Sequence, residues 1–310
     1  MEAPPPLGPL PGPPGRSAWP PPFQLAPASE PASAPLAAPV PPAAPHRFLL
    51  LGVIAFVFLV YLWNSWNRDF WAPEEPDLAA ATKEMGVALR RGDPWALLFP
   101  TIGGEPYAEK PPLLYWLALT SSLTGADPRT AYRLPVALAA ALALAVTYLA
   151  ARRSFGGRVA LGAIAIQASS YLYFHCGSWY LTDVLFAGGT SLAVTSFAKA
   201  IFEPTEGNAR WAFAGWIGLT LAALAKSALL APVLVLGTIL IYVLTKPGGR
   251  GIVRELLALR PLWGLATFLG LIGAWYLAAY LRGGAGFLRE NVVEQHLLRL
   301  VDAESHRQPF

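Results

Sequence analysis

Residues 47–66 read RFLLLGVIAFVFLVYLWNSW, and after the opening arginine no charged residue interrupts the run. A helix needs about 20 predominantly apolar residues to cross the hydrocarbon core of a bilayer, and this stretch has that length. Its closing Tyr61, Trp63 and Trp66 are of the types that favour the lipid–water boundary. Comparable runs recur at about 131–151, 159–175, 180–200, 211–226, 228–245 and 261–281. The fifth and sixth meet almost without a break at Lys226-Ser227, which calls for a tight turn there. The chain reads as an all-α polytopic membrane protein with about seven spans.

Composition agrees. Of 310 residues 55% are hydrophobic and only 14% charged, against about 25% charged in an ordinary soluble domain. A net charge of +4 spread along the chain does not make a nucleic-acid-binding surface. The single Cys176 excludes an internal disulfide and a cysteine metal cluster. Ahead of the first span, residues 1–45 hold 17 of the 31 prolines. So little apolar surface cannot offset the entropy of ordering, and residues 1–46 are expected to be a disordered cytoplasmic tail.

Cations set the orientation. Arg152, Arg153 and Arg158, then Lys199 and Arg210, then Lys246, Arg250, Arg254 and Arg260 fall on the side where the first span begins beside Arg47. The positive-inside rule makes that side cytoplasmic. Residues 67–130 then form an outer loop, with the Lys226 turn and the segment 282–310 on the same face.

The loop has its own pattern. Leu78, Ala81, Met85 and Leu89 in 75–91 have helical spacing and predict an amphipathic juxtamembrane helix. A second short helix is expected over 113–123, with Pro112 tolerated in its first turn. Just before it stands YAEKPPLLYW, residues 107–116, an acid and a base fixed by two prolines at the lipid boundary. Ionisable groups at membrane depth are costly and mark functional sites. On the outer face these are Glu74-Glu75, Glu109-Lys110, Asp183, Lys226, and the segment with Glu294, His296 and His306. Each also has a plainer reading: helix capping for Glu74, Glu75 and Asp183, snorkelling for Lys226, and an interfacial aromatic belt for Tyr107, Tyr115 and Trp116.

The order Glu74-Glu75-Pro76, Lys83-Glu84-Met85, Gly92-Asp93, Tyr107 to Trp116 and Arg133-Leu134-Pro135, then Thr182-Asp183, Leu224-Ala225-Lys226-Ser227 and His296, resembles the GT-C membrane glycosyltransferases of the ArnT-like and protein O-mannosyltransferase-like kind. The resemblance covers roughly residues 47–310 and implies a GT-C-like transmembrane bundle. It also implies that a sugar passes from a polyprenyl phosphate to a hydroxyl or phosphate acceptor, a lipid A-type glycolipid or a protein, at the periplasmic face of a bacterial inner membrane. Carried over by position, Glu74 takes the place of the general base, one methylene longer than the family's usual Asp. Glu75 and Asp183 fall with the catalytic acids. Lys110, with Tyr107 and Lys226, would meet the lipid phosphate. Glu109 would ligate a divalent metal (zinc, magnesium or manganese) with His296, favoured over His306. An ion pair between Glu109 and Lys110 until the phosphate arrives is a further expectation.

The sequence departs from the family where an arginine often precedes the second acid, since Ser178-Trp179-Tyr180 stands there. It also stops at Phe310, where the family continues, so 47–310 is read as the N-terminal part of the domain. The competing readings are a transporter or flippase for a lipid-linked substrate and an inactive fragment of the enzyme.

Overall fold

The computed structural model describes residues 45–66, 68–71, 73–203, 208–246 and 251–298. The tail expected over 1–46 therefore lies almost wholly outside the described residues, as does His306, and the same holds for the side chain of His296.

Helices dominate, as the apolar runs require. They are α1 (Pro45–Ser65), α2 (Glu75–Arg90), α3 (Leu113–Ser122), α4 (Pro128–Ser169), α5 (Tyr171–Ser178), α6 (Asp183–Phe202), α7 (Asn208–Ala225), α8 (Leu230–Thr245), α9 (Ile252–Ala258) and α10 (Pro261–Leu288). A π-helical segment, Arg289–Leu298, follows α10. Four stretches, in α1, α4, α6 and Pro261–Glu294, are long and apolar enough to cross a membrane. Shorter apolar helices cover Leu113–Ser122, Ala209–Ala225 and Leu230–Thr245.

The runs at 131–151 and 159–175 differ from expectation in how they are joined. No polar loop separates them; helix α4 is interrupted at a single residue, Gly156, whose φ of 84° and ψ of 167° only glycine adopts without strain. Beyond it the chain doubles back, because the Tyr173 hydroxyl donates to the carbonyl of Ala140 at 2.7 Å. A straight helix would hold those residues about 50 Å apart. The second limb breaks again at Ser170 and ends as α5. Tyr61 of α1 locks against it through its hydroxyl bond to the Ala168 carbonyl at 2.7 Å.

Helices α6 and α7 cross at backbone contact. A Cβ on Gly189 would sit 2.8 Å from the Ala222 nitrogen, and one on Gly218 would sit 2.7 Å from the Ala193 nitrogen. Small residues at a membrane helix crossing let dispersion and weak polar contacts replace the hydrophobic driving force that lipid does not supply. The two helices run antiparallel, so the start of α6 and the end of α7 meet at one end of the bundle.

Between α2 and α3 the long loop folds rather than wanders. Pro94–Leu97 forms a 3-10 turn, and a short hairpin pairs Thr101 with Pro106 and Ile102 with Glu105. Glu84 of α2 accepts from Thr101 Oγ1 at 2.9 Å and from the backbone N–H groups of Gly103 and Gly104. Burial alone would push its carboxyl up, but these three bonds outweigh that and hold it below the usual range.

Candidate active site

One end of the bundle collects the ends of α1, α5 and α7, the starts of α2, α3, α4 and α6, and the π-helical segment. Ser65 at the end of α1 donates to the Ser178 carbonyl at the end of α5, 2.7 Å away. Into that junction points Glu75. Its side chain is fully buried and takes a fork from Arg133, with Nε to Oε1 and Nη2 to Oε2 both at 2.8 Å. Arg68 adds a contact at 3.3 Å. The backbone N–H groups of Tyr180 and Trp71 donate to the same carboxylate at 2.6 and 3.0 Å. Burial on its own would raise the Glu75 carboxyl, yet the bonds from Arg133, Tyr180 and Trp71 overcome it and hold it below the ordinary range.

Arg133 does more than pair. Its Nη atoms reach the carbonyls of Arg68 and Asp69 at 2.6 and 2.9 Å, and its guanidinium lies 4.6 Å from the Phe70 ring centre. The guanidinium of Arg68 lies between Trp71 and Trp179, 5.0 and 4.6 Å from their centres. The polar groups are thus held by a buried cluster that ties four chain segments together. Sequence reading gave Arg133 only as part of a motif and did not single out Arg68. What could have marked Arg133 is its place in the first turns of an apolar helix, where an unpaired arginine would be too costly to bury.

Glu74, the neighbour of Glu75, is exposed and makes no capping bond at the start of α2. Chain direction explains the split. On a helix, adjacent residues point about 100° apart, so one acid enters the cluster and the other faces out.

The loop motif is anchored from both sides. Lys110 is 9% exposed, and the following Pro111 and Pro112 are buried against the start of α3. The Ala108 carbonyl accepts from Asn291 Nδ2 of the π-helical segment, and Tyr276 of α10 donates its hydroxyl to Asn291 Oδ1 at 2.9 Å. Trp275 Nε1 donates to the Leu98 carbonyl at 3.1 Å, and Phe99 packs on Phe287 at 4.9 Å. Asn291, Tyr276 and Trp275 hold the motif in place and carry no sequence signal of their own: Asn291 and Trp275 bond backbone carbonyls far along the chain, and Tyr276 acts through Asn291.

Glu109 and Lys110 do not form the expected ion pair. Glu109 instead accepts from the Tyr107 hydroxyl at 3.3 Å. Successive residues in extended backbone point to opposite sides, and the proline after Lys110 enforces that backbone. Among the described residues Lys110 forms no ion pair, although most of its side chain is packed away from solvent. Burial pushes the Tyr107 hydroxyl well above its ordinary value, with the charges of Glu109, Asp77 and Glu74 adding to it.

Asp183 and Lys226 pair with each other across the α6–α7 contact. No side-chain capping bond forms at the start of α6, and the acid is paired with Lys226 instead. Among the described residues no group of three or more His, Cys, Asp and Glu side chains is placed to hold a metal ion.

A family model for dolichyl-phosphate-mannose-protein mannosyltransferase matches residues 47–281, about three quarters of the chain. An undecaprenyl phosphate-alpha-4-amino-4-deoxy-L-arabinose arabinosyl transferase of Aeromonas salmonicida (strain A449) is 29% identical over 263 residues, 82% of this chain and 45% of that protein. The enzyme of the same name from Edwardsiella ictaluri (strain 93-146) is 34% identical over 140 residues, 45% of this chain and 24% of that one. The fold matches the crystal structure of ArnT from Cupriavidus metallidurans bound to undecaprenyl phosphate, with a TM-score of 0.69 and 24% identity, over 83% of this chain and 45% of that chain. This chain spans about half the length, or less, of the curated relatives it matches.

Proposed function

The chain belongs to the dolichyl-phosphate-mannose-protein mannosyltransferase family, and from that premise we propose that it transfers a sugar from a polyprenyl phosphate to a hydroxyl or phosphate acceptor at the membrane surface. The observation that carries this reading is Lys110, a cation 9% exposed that faces no acid among the described residues. A cation held at that place without an acid beside it can take an arriving lipid phosphate as its counter-charge.

In the reaction the acceptor oxygen attacks the anomeric carbon, and the bond from that carbon to the phosphate oxygen breaks. The electron pair leaves with the phosphate, where Lys110 stabilises the growing charge in a poorly solvated setting. Glu74, exposed and free of a capping bond, takes the acceptor's proton as general base. Glu75 serves as organiser rather than proton carrier, since Arg133, Arg68 and two backbone N–H groups already occupy its oxygens. Asp183 with Lys226 supplies polar contacts to donor or acceptor. Tyr107 orients Glu109. A divalent ion would be held by Glu109 with His296, in preference to His306, and would polarise the leaving phosphate. Among the described residues the donors do not complete a ligand set.

Relatives named as undecaprenyl phosphate arabinosyl transferases support a bacterial polyprenyl carrier and a pentose, whereas the family name supports a hexose and a protein acceptor. The cation-rich connections support an N-terminus in the cytoplasm and a site on the periplasmic face of the inner membrane. The test is expression of the full-length protein in membranes supplied with radiolabelled polyprenyl-phosphate pentose or hexose. Label should move to glycolipid or to protein. No transfer of either sugar to either fraction overturns the reading.

A further inference from the structure

A groove of about 510 Å³ lies between α7 and α10, lined along α7 from Ala209 to Leu224, and its Arg260 end is the one farther from Lys226. Its wall is apolar, with Phe213, Ile217 and Leu221 from α7 facing Leu271 of α10, and Arg260 stands among its lining residues. Lys226 marks the site end of α7 and Asn291 the site end of α10. Arg210 and Arg260 therefore mark the opposite membrane edge. From Ala209 to Leu224 the lining of α7 runs about 22 Å, more than one leaflet's share of a hydrocarbon core about 30 Å thick.

The corner at Arg260 is built and strained. Among the described residues it is the one non-glycine with a positive φ, 48°, at the residue before Pro261. A left-handed residue other than glycine is strained and persists where its surroundings dictate it. Here the indole of Trp216 does so: Nε1 donates to the Leu259 carbonyl at 2.8 Å, and the ring lies so close to Gly264 that a Cβ there would be 1.9 Å from Nε1. The result is an arginine whose backbone is fixed at the mouth of an apolar trough. Arg260 is exposed and has no ion-pair partner among the described residues, and the exposed Arg210 shares the same membrane edge.

We propose that this groove binds an anionic glycerophospholipid of the leaflet opposite the site, with its phosphodiester on Arg260 and an acyl chain along the trough. The charge selects the occupant. A zwitterionic headgroup would bring an ammonium toward an edge already held by Arg260 and Arg210, whereas a phosphatidylglycerol headgroup brings one negative charge and no positive one. The inference does not depend on the chemistry proposed at the other end of the bundle.

The test uses the purified full chain, stripped of lipid in detergent and titrated with phosphatidylglycerol or phosphatidylcholine of identical acyl chains, with bound lipid read by native mass spectrometry. One phosphatidylglycerol per chain should bind about tenfold more tightly than phosphatidylcholine. Arg260→Gln should remove that preference, and Arg260→Lys should keep part of it. Thr267→Trp, which fills the trough from an exposed position, should weaken both lipids, and being remote from the strained corner it serves if the Arg260 variants misfold. Equal affinity for the two lipids, or phosphatidylglycerol binding untouched by Thr267→Trp, overturns the proposal. So does one-for-one displacement by undecaprenyl phosphate, or a dimer that Thr267→Trp dissociates, because each gives the groove another occupant.

Discussion

Glu75 and Arg133 meet through two parallel contacts of 2.8 Å, and neither side chain reaches solvent. Fifty-eight positions apart in sequence, they join the start of the loop helix to the start of a long membrane helix, and Glu74 stands directly beside that joint.

Breaking the joint should cost stability before it costs chemistry. Removing one partner of a buried ion pair leaves the other uncompensated, a loss of about 3–5 kcal/mol. Arg133→Met alone should therefore lower the thermal midpoint in detergent sharply, and Arg133→Met with Glu75→Leu should recover part of the loss. A single variant as stable as the parent would show that the pair does not hold the junction.

The same carboxylate sets a pH limit. Because the folded state holds Glu75 below its ordinary value of 4.5, the network contributes stability above that value and loses it as pH falls through and below it. Thermal stability should stay level from neutral pH down to about 5 and then fall. Glu75→Gln should be less stable throughout and should show a shallower acid fall, measured by scanning fluorimetry across pH.

Lys110→Gln keeps length and polarity but removes the charge. Loss of one preorganised charge-stabilising group typically costs about 10²–10³ in rate, and donor turnover in membranes should fall by that much with insertion unchanged. Undiminished turnover would remove the lysine from the phosphate site.

Glu74→Ala should reduce transfer about 10²–10⁴-fold, the usual weight of a general base. Glu74→Asp should retain much more activity than Glu74→Ala, since it keeps the carboxylate and shortens the side chain to the length usual in the family. Equal activity in the alanine variant and the parent would place the base elsewhere.

For the metal, chelation followed by readdition of zinc, magnesium or manganese should lower and restore turnover, and Glu109→Gln should mimic chelation. Activity indifferent to both would leave Glu109 with its Tyr107 hydrogen bond as its whole role.

Long apolar runs settled the membrane-spanning helical class, because span length follows from bilayer thickness and needs no partner to be read. The amphipathic helix after the first span was legible for a similar reason: α2 buries Leu78, Ala81 and Met85, three of the residues whose spacing marked it. The motif Glu109-Lys110-Pro111-Pro112 could be located, but not what its charges do. Neighbours in sequence suggested an ion pair, whereas extended backbone turned them apart and left Lys110 without an acid among the described residues. Only tertiary structure divided Glu74 from Glu75, matched Asp183 with Lys226 across the glycine crossing, and recruited Arg68, Tyr276 and Asn291. Those relationships depend on which distant segments pack together, and periodicity along one chain carries no record of distance between two of its parts.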